Sequence, residues 1–150
     1  MSAGAKIAGL TRYHKKGEPG EPLQEVNLLE GIGLEGDFHQ QRGGEKQVSL
    51  FSAEARLWME SQIKQSQKGL CFGRFRENIL TEGLPLEDLE NGNLLYIGDV
   101  ILRISARGKH CHDECNLFSK GIACRLSESA AFGTVEQGGV IRVGDNVSAK

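Results

Sequence analysis

The sequence has few of the residues that punctuate or stiffen a chain: three prolines and one tryptophan in 150 residues, with aromatics at 6%. It has no excess of positive charge, since 18 basic and 20 acidic residues leave a formal net charge of −2. A nucleic-acid partner normally demands a basic footprint, so none is expected. No apolar run approaches the roughly 20 residues of a membrane span. Met1 to Leu10 also lacks the apolar stretch of a secretion signal. No membrane association is therefore expected, and the chain reads as cytoplasmic. Thiols stay reduced in that compartment, so an even cysteine count of four is no argument for disulfides.

Glycine is what the chain has in quantity. Its 20 glycines are about twice average usage, and they recur between short apolar runs, as many tight turns between many strands require. Hydrophobic content of 39% and charged content of 25% are globular values, and the length suits one domain over 1–150 with its own core.

Alternation predicts strands over Lys6 to Arg12 and Leu23 to Leu29, with a loop between them marked by Gly17, Pro19, Gly20 and Pro22. The second strand runs into the segment Gly31-Ile-Gly33-Leu-Glu-Gly36-Asp37. Gln47 to Phe51 reads as a short buried strand. A helix is predicted from Ser52, whose hydroxyl suits an N-cap; Ala55, Trp58, Met59 and Ile63 follow at helical spacing. Lys64 to Lys68 gives it a polar end and Gly69 a stop. Glu77 to Thr81 is a further strand. Leu94 to Ile97, Gly98-Asp99 and Val100 to Ile104 form the best hairpin signal, because glycine at the first turn position suits a type II′ turn. Val140 to Val143 followed by Gly144-Asp145 repeats the pattern. One helix among about seven short strands predicts a mainly β domain with a curled or barrel-like sheet.

Three segments carry residues capable of chemistry. In the first, Cys111, Cys115 and Cys124 fall within 14 residues, in company with His110, His112 and Lys109. Thiolates are strong nucleophiles and soft metal ligands, and neighbouring cations favour the ionised form. Zinc is one reading, with three cysteines and one histidine as ligands, although the spacing is irregular and no second ligand pair lies elsewhere. Inert packing cysteines are another. In the second segment, Arg76 and Asn78 point to one side if the backbone is extended. A guanidinium beside a carboxamide can hold a phosphate or the polar edge of a heterocycle; an exposed arginine beside a turn asparagine is the bland alternative. In the third, Asp37 and His39 can share a face after Gly36, which makes His39 either a proton carrier or ligand, or a satisfied surface histidine.

Taken together, these segments resemble the MOSC domain, named for the C-terminal portion of molybdenum-cofactor sulfurases. The resemblance runs from about Gly36 to Val147. It rests on Gly36-Asp37-Phe-His39, Gln47-Val-Ser-Leu50, Phe75-Arg76-Glu77-Asn78-Ile79-Leu-Thr81-Glu82-Gly83, the Ile97-Gly98-Asp99 turn, the cysteine stretch, and Gly139-Val-Ile-Arg142-Val143-Gly144-Asp145-Asn-Val147. The order and spacing of these elements carry it, not any one of them.

The resemblance implies a β-rich, barrel-like domain and chemistry centred on the molybdenum cofactor (molybdopterin). In members such as the mitochondrial amidoxime-reducing component, a cysteine thiolate ligates molybdenum and an Arg-x-Asn pair helps hold the pterin and its phosphate. Arg76-Glu77-Asn78 matches that pair. Cys115 is the best match to the metal-ligating cysteine, with Cys111 its competitor and His39 a further catalytic candidate. Lys109 and His112 would add positive charge beside the cofactor.

The leading expectation is a protein that carries, stores or sulfurates the cofactor through Cys115, with molybdoenzymes or a sulfur- or electron-donor protein as partners. No aminotransferase-like or ferredoxin-like module is present, so electrons or sulfur would have to come from elsewhere, and the chain itself is expected to be a sulfur carrier independent of pyridoxal phosphate. A molybdenum-dependent reductase of N-hydroxylated compounds ranks second, because such enzymes carry an additional N-terminal β-barrel domain that is not found here. A zinc-stapled interaction domain is the third reading.

Overall fold

A computed structural model describes residues 5–15, 18–38, 40, 42–64, 77–107 and 130–149. In chain order these form β1 (Lys6–Arg12), β2 (Glu21–Leu23), β3 (Glu25–Leu29), β4 (Gly33–Leu34), β5 (Val48–Ser52), α1 (Ala53–Lys64), β6 (Ile79–Glu82), a 3-10 turn at Leu86–Asp88, β7 (Leu94–Ile97), β8 (Val100–Arg107), β9 (Ala131–Gln137), β10 (Gly139–Arg142) and β11 (Ser148–Ala149). The chain is mainly β, as its pattern predicts.

Eight strands form one sheet in the order β11-β7-β8-β9-β5-β6-β1-β2, and three form a second in the order β10-β3-β4. Among the described strands every pairing is antiparallel except β5 with β6. A parallel pair needs a crossover, and α1 lies in the connection between these two strands. The large sheet is not closed into a barrel, so barrel-like holds only loosely. The C-terminal segment links β1, one strand in from one edge, to β7 near the other. Ile7 N–H donates to Asp145 O at 2.9 Å and Gly144 N–H to Ile7 O at 2.8 Å, while Ser148 and Ala149 pair with Tyr96 and Leu95 of β7.

The alternating residues of these strands bury one continuous core, with Ile7, Leu50, Ile79, Leu95, Leu102 and Ile104 all essentially inaccessible. Strand β5 is buried along its whole length. Val48 and Leu50 join the core, whereas Phe51 lies under the Arg56 guanidinium of α1, 5.3 Å from the ring centre.

Local signals are read well. Strand β1 spans the expected residues. The Ser52 hydroxyl accepts the Ala55 N–H at 3.1 Å, the N-cap bond that its position implies. Gly98 has φ +60 in the β7–β8 turn, as a primed hairpin turn requires.

Three expectations need correction. Leu23 to Leu29 is two strands separated at Gln24, one in each sheet. Gln24 O instead accepts the Val143 N–H at 2.9 Å. Strand β10 pairs with β3 and not with the residues that follow its turn. The strand count of seven omits β9, which joins β8 to β5 at the centre of the sheet. Gly133 weakens the strand signal of β9, yet a Cβ there would lie 3.0 Å from Arg103 O of the neighbouring strand. The expected stop at Gly69 lies outside the described residues.

Candidate functional site

Where β1 ends and β6 begins, four segments meet around buried polar side chains. Asn78 is fully buried, and its carboxamide uses all four of its hydrogen-bonding positions. Nδ2 donates to Asp37 Oδ1 at 2.9 Å and to Thr11 O at 3.2 Å. Oδ1 accepts from Ser49 N–H at 3.1 Å and from the Ser49 hydroxyl at 3.2 Å. The amide orientation follows from these partners, because a flip would set oxygen against the Asp37 carboxylate. Ser49 N–H thus bonds a side-chain oxygen one position before the β5–β6 register begins at Leu50 and Ile79.

Asp37, equally buried, also accepts the Tyr13 N–H at 2.7 Å. Its turn is held to β1 a second time by Phe38 N–H donating to Tyr13 O at 2.8 Å. Glu77 diverges from Asn78 and forms an ion pair with Arg56 of α1. A second buried amide, Gln47, ties down the glycine-rich segment: Nε2 donates to Gly31 O at 2.9 Å and Oε1 accepts the Val135 N–H at 2.9 Å.

The rim of this junction is charged. Arg12 donates from Nε and Nη2 to Glu21 Oε1 at 3.2 and 3.1 Å, and from Nη1 to Glu35 O at 3.2 Å. His14 Nε2 meets the same Glu21 oxygen at 2.8 Å. The His14 hydrogen bond first, and Arg12 with it, hold the Glu21 carboxyl below its ordinary value of 4.5. A depressed native pKa contributes stability that is present above the ordinary value and is lost as pH falls through the native one. Glu21→Gln is therefore expected to lower the melting temperature slightly at neutral pH, with the gap closing below about pH 4.5. Melting curves across pH 3–7 check it.

Gly36 packs under Arg12, with φ +83 and space for a Cβ only 2.9 Å from Arg12 Cδ. Gly36→Ala has to strain the backbone and displace Arg12, and is expected to destabilise by about 1–2 kcal/mol in denaturant titration.

Of the residues singled out by the sequence, Asn78 is described and stands at the centre of this junction. His39, Arg76, Lys109, Cys111, His112 and Cys115 lie outside the described residues. The strands that flank the cysteine segment are described, and they pair: Arg107 of β8 is the register partner of Ala131 of β9. Among the described residues no group of three or more His, Cys, Asp or Glu side chains can hold a metal ion. No described helix is long and apolar enough to cross a membrane. Sequence reading passed over Thr11, Tyr13 and Ser49. The first two contribute backbone atoms, which any residue supplies, so no sequence signal marks them.

The fold and this junction define a mainly β protein with an open main sheet and a polar seam at the β1–β6 boundary. The MOSC domain pattern matches residues 35–148, and the chain belongs to the MOSC domain family, which is associated with the C-terminal domain of molybdenum-cofactor sulfurases. Among solved structures, the YUAD protein from Bacillus subtilis is similar at 20% identity and a TM-score of 0.71, covering 97% of this chain and 94% of its own. YiiM from Geobacillus stearothermophilus gives 16% identity and a TM-score of 0.61, covering 97% and 75%. YiiM from Escherichia coli gives 18% identity and 0.58, covering 97% and 69%. These similarities concern the fold. No curated protein matches the sequence.

Proposed function

We propose that the protein binds the molybdenum cofactor and carries, stores or sulfurates it, with Cys115 as the metal or sulfur ligand. The observation that supports this most is the MOSC match over 35–148, a span that includes both Arg76-Glu77-Asn78 and Cys115. The donor set suits the cargo. A thiolate is a soft ligand for a heavy metal and also an acceptor for sulfur exchange. A guanidinium fork fits the pterin phosphate. Lys109 and His112 flank Cys111 and lie close to Cys115 in sequence, where their charge favours ionised thiols. When bound, the cofactor supplies a redox-active metal. The chain's own part is to hold it, with the thiolate of Cys115 on the metal and Arg76 on the phosphate.

Asn78 acts in this reading by fixing the start of β6, two residues from Arg76. Its carboxamide is committed within the protein, so its contribution to cofactor binding is to place the backbone beside the phosphate ligand.

The test is anaerobic purification from a cofactor-producing host, with molybdenum, zinc and pterin measured on the same sample. Molybdenum and pterin present together at near-stoichiometric levels are expected. Neither present under any redox condition overturns the proposal. Zinc alone, lost together with the fold on chelation, replaces it by the zinc-stapled interaction domain.

A further inference from the structure

We infer that Lys46 is an anion-binding residue, held ready over the Phe132 ring to take a phosphate-type oxyanion. The inference deepens the cofactor reading and rests on it only for the identity of that anion as the cofactor's phosphate. Lys46 is exposed, and its Nζ lies 4.9 Å from the centre of the Phe132 ring. Among the described residues no carboxylate forms an ion pair with this ammonium, whereas Arg103 of β8 is paired with Glu136 of β9.

The chain is fixed on both sides of Lys46. The β8–β9 register shifts between Ile104 and Ala106, so Ser105 is the extra residue of a bulge, a feature that re-aims side chains. Its hydroxyl reaches Glu45 O, and Phe132 O at 3.2 Å. On the other side, Gln47 N–H donates to Gly133 O at 3.1 Å. Ordering a lysine stem costs rotamer freedom, and an exposed contact with an aromatic ring returns little of it. The ring contact therefore adds little to the fold. What it adds is a fixed place for a positive charge, so that binding an anion has less ordering to accomplish. A lysine ammonium serves phosphate well as a point charge.

Position joins this cation to the junction around Asn78. Val48 and Leu50 of β5 join the core, so Ser49 between them belongs to the other side of the sheet. Phe132 is the register partner of Ser49 and shares that side. The Ser49 hydroxyl in turn donates to Asn78 Oδ1 at 3.2 Å. Lys46, Phe132, Ser49 and Asn78 thus form one row of contacts. Phe132 also lies opposite Ala106, next to the Arg107–Ala131 pair that flanks the cysteine segment in sequence.

The test titrates inorganic phosphate into the wild type and three variants, followed through backbone amide shifts. It then measures affinity for molybdenum cofactor released anaerobically from a denatured molybdoenzyme. Phosphate should move the wild-type signals of 45–47 and 132–134, and its affinity should fall about tenfold in Lys46→Gln. Lys46→Arg keeps the charge and can stack on the same ring, so it should stay within about threefold of the wild type. Lys6→Gln removes an equal charge from β1 and should change nothing, which separates a site from an effect of net charge.

Equal phosphate affinity in the wild type and Lys46→Gln overturns the inference, as does a wild type whose signals phosphate leaves unmoved. So does a Lys46→Arg or a Lys6→Gln as weak as Lys46→Gln. Cofactor affinity that falls together with phosphate affinity in Lys46→Gln identifies the anion as the cofactor's phosphate; cofactor affinity that holds assigns Lys46 to free phosphate. If the wild type binds phosphate through Lys46 but no cofactor, the cofactor reading falls and the anion site stands.

Discussion

Asn78→Asp is expected to cost about 3–5 kcal/mol of folding stability at neutral pH, although it exchanges one nitrogen for an oxygen and leaves the shape intact. The substituted atom donates to Asp37 Oδ1 at 2.9 Å and to Thr11 O at 3.2 Å. As an oxygen it would present lone pairs to both, and it would place a second buried carboxylate against the first. Two like charges in such contact cannot both ionise cheaply, so the pair retains a proton and titrates above the ordinary carboxylate range. A raised native pKa contributes stability that is present at low pH and is lost as pH rises through it. The deficit relative to the wild type should therefore be smallest near pH 4 and grow toward pH 8. Urea titrations across that range measure it. A deficit that does not vary with pH would mean that Asn78 and Asp37 are not in contact.

Cys115→Ser is expected to abolish molybdenum retention. A serine hydroxyl stays protonated at neutral pH and is a hard donor, so it can neither match a thiolate on the metal nor carry a persulfide. Pterin without metal should still bind weakly through Arg76, and Arg76→Ala should remove that residue of affinity. Cys111→Ser is the control and should retain the metal. The reverse outcome, with Cys115→Ser loaded and Cys111→Ser empty, would transfer the ligand role to Cys111. Metal analysis of the purified variants, paired with their melting curves, separates these cases.

The elements legible in the sequence share one property: their causes are local. Ser52 caps α1 through a bond to Ala55, three residues away. The β7–β8 turn forms because Gly98 tolerates a positive φ between two apolar runs. The MOSC family, too, is visible in short motifs kept in order along 35–148.

What escaped reading has distant causes. The strand signal of β9 is weakened by Gly133, and its place at the centre of the sheet depends on two strands far apart in the chain, β5 and β8. The break of one apparent strand into β2 and β3 comes from pairing with two different sheets.

The junction around Asn78 shows the division most clearly. The sequence alone determined that the chain is mainly β, that it belongs with MOSC domains, and that an arginine, an asparagine and a cysteine stand at telling positions. Only the tertiary structure decided what Asn78 does, since its partners come from Thr11, Asp37 and Ser49, as many as 67 residues away. Two of those bonds end on main-chain atoms. A backbone N–H or carbonyl is the same at every residue, so no side-chain pattern records which one a buried carboxamide will find.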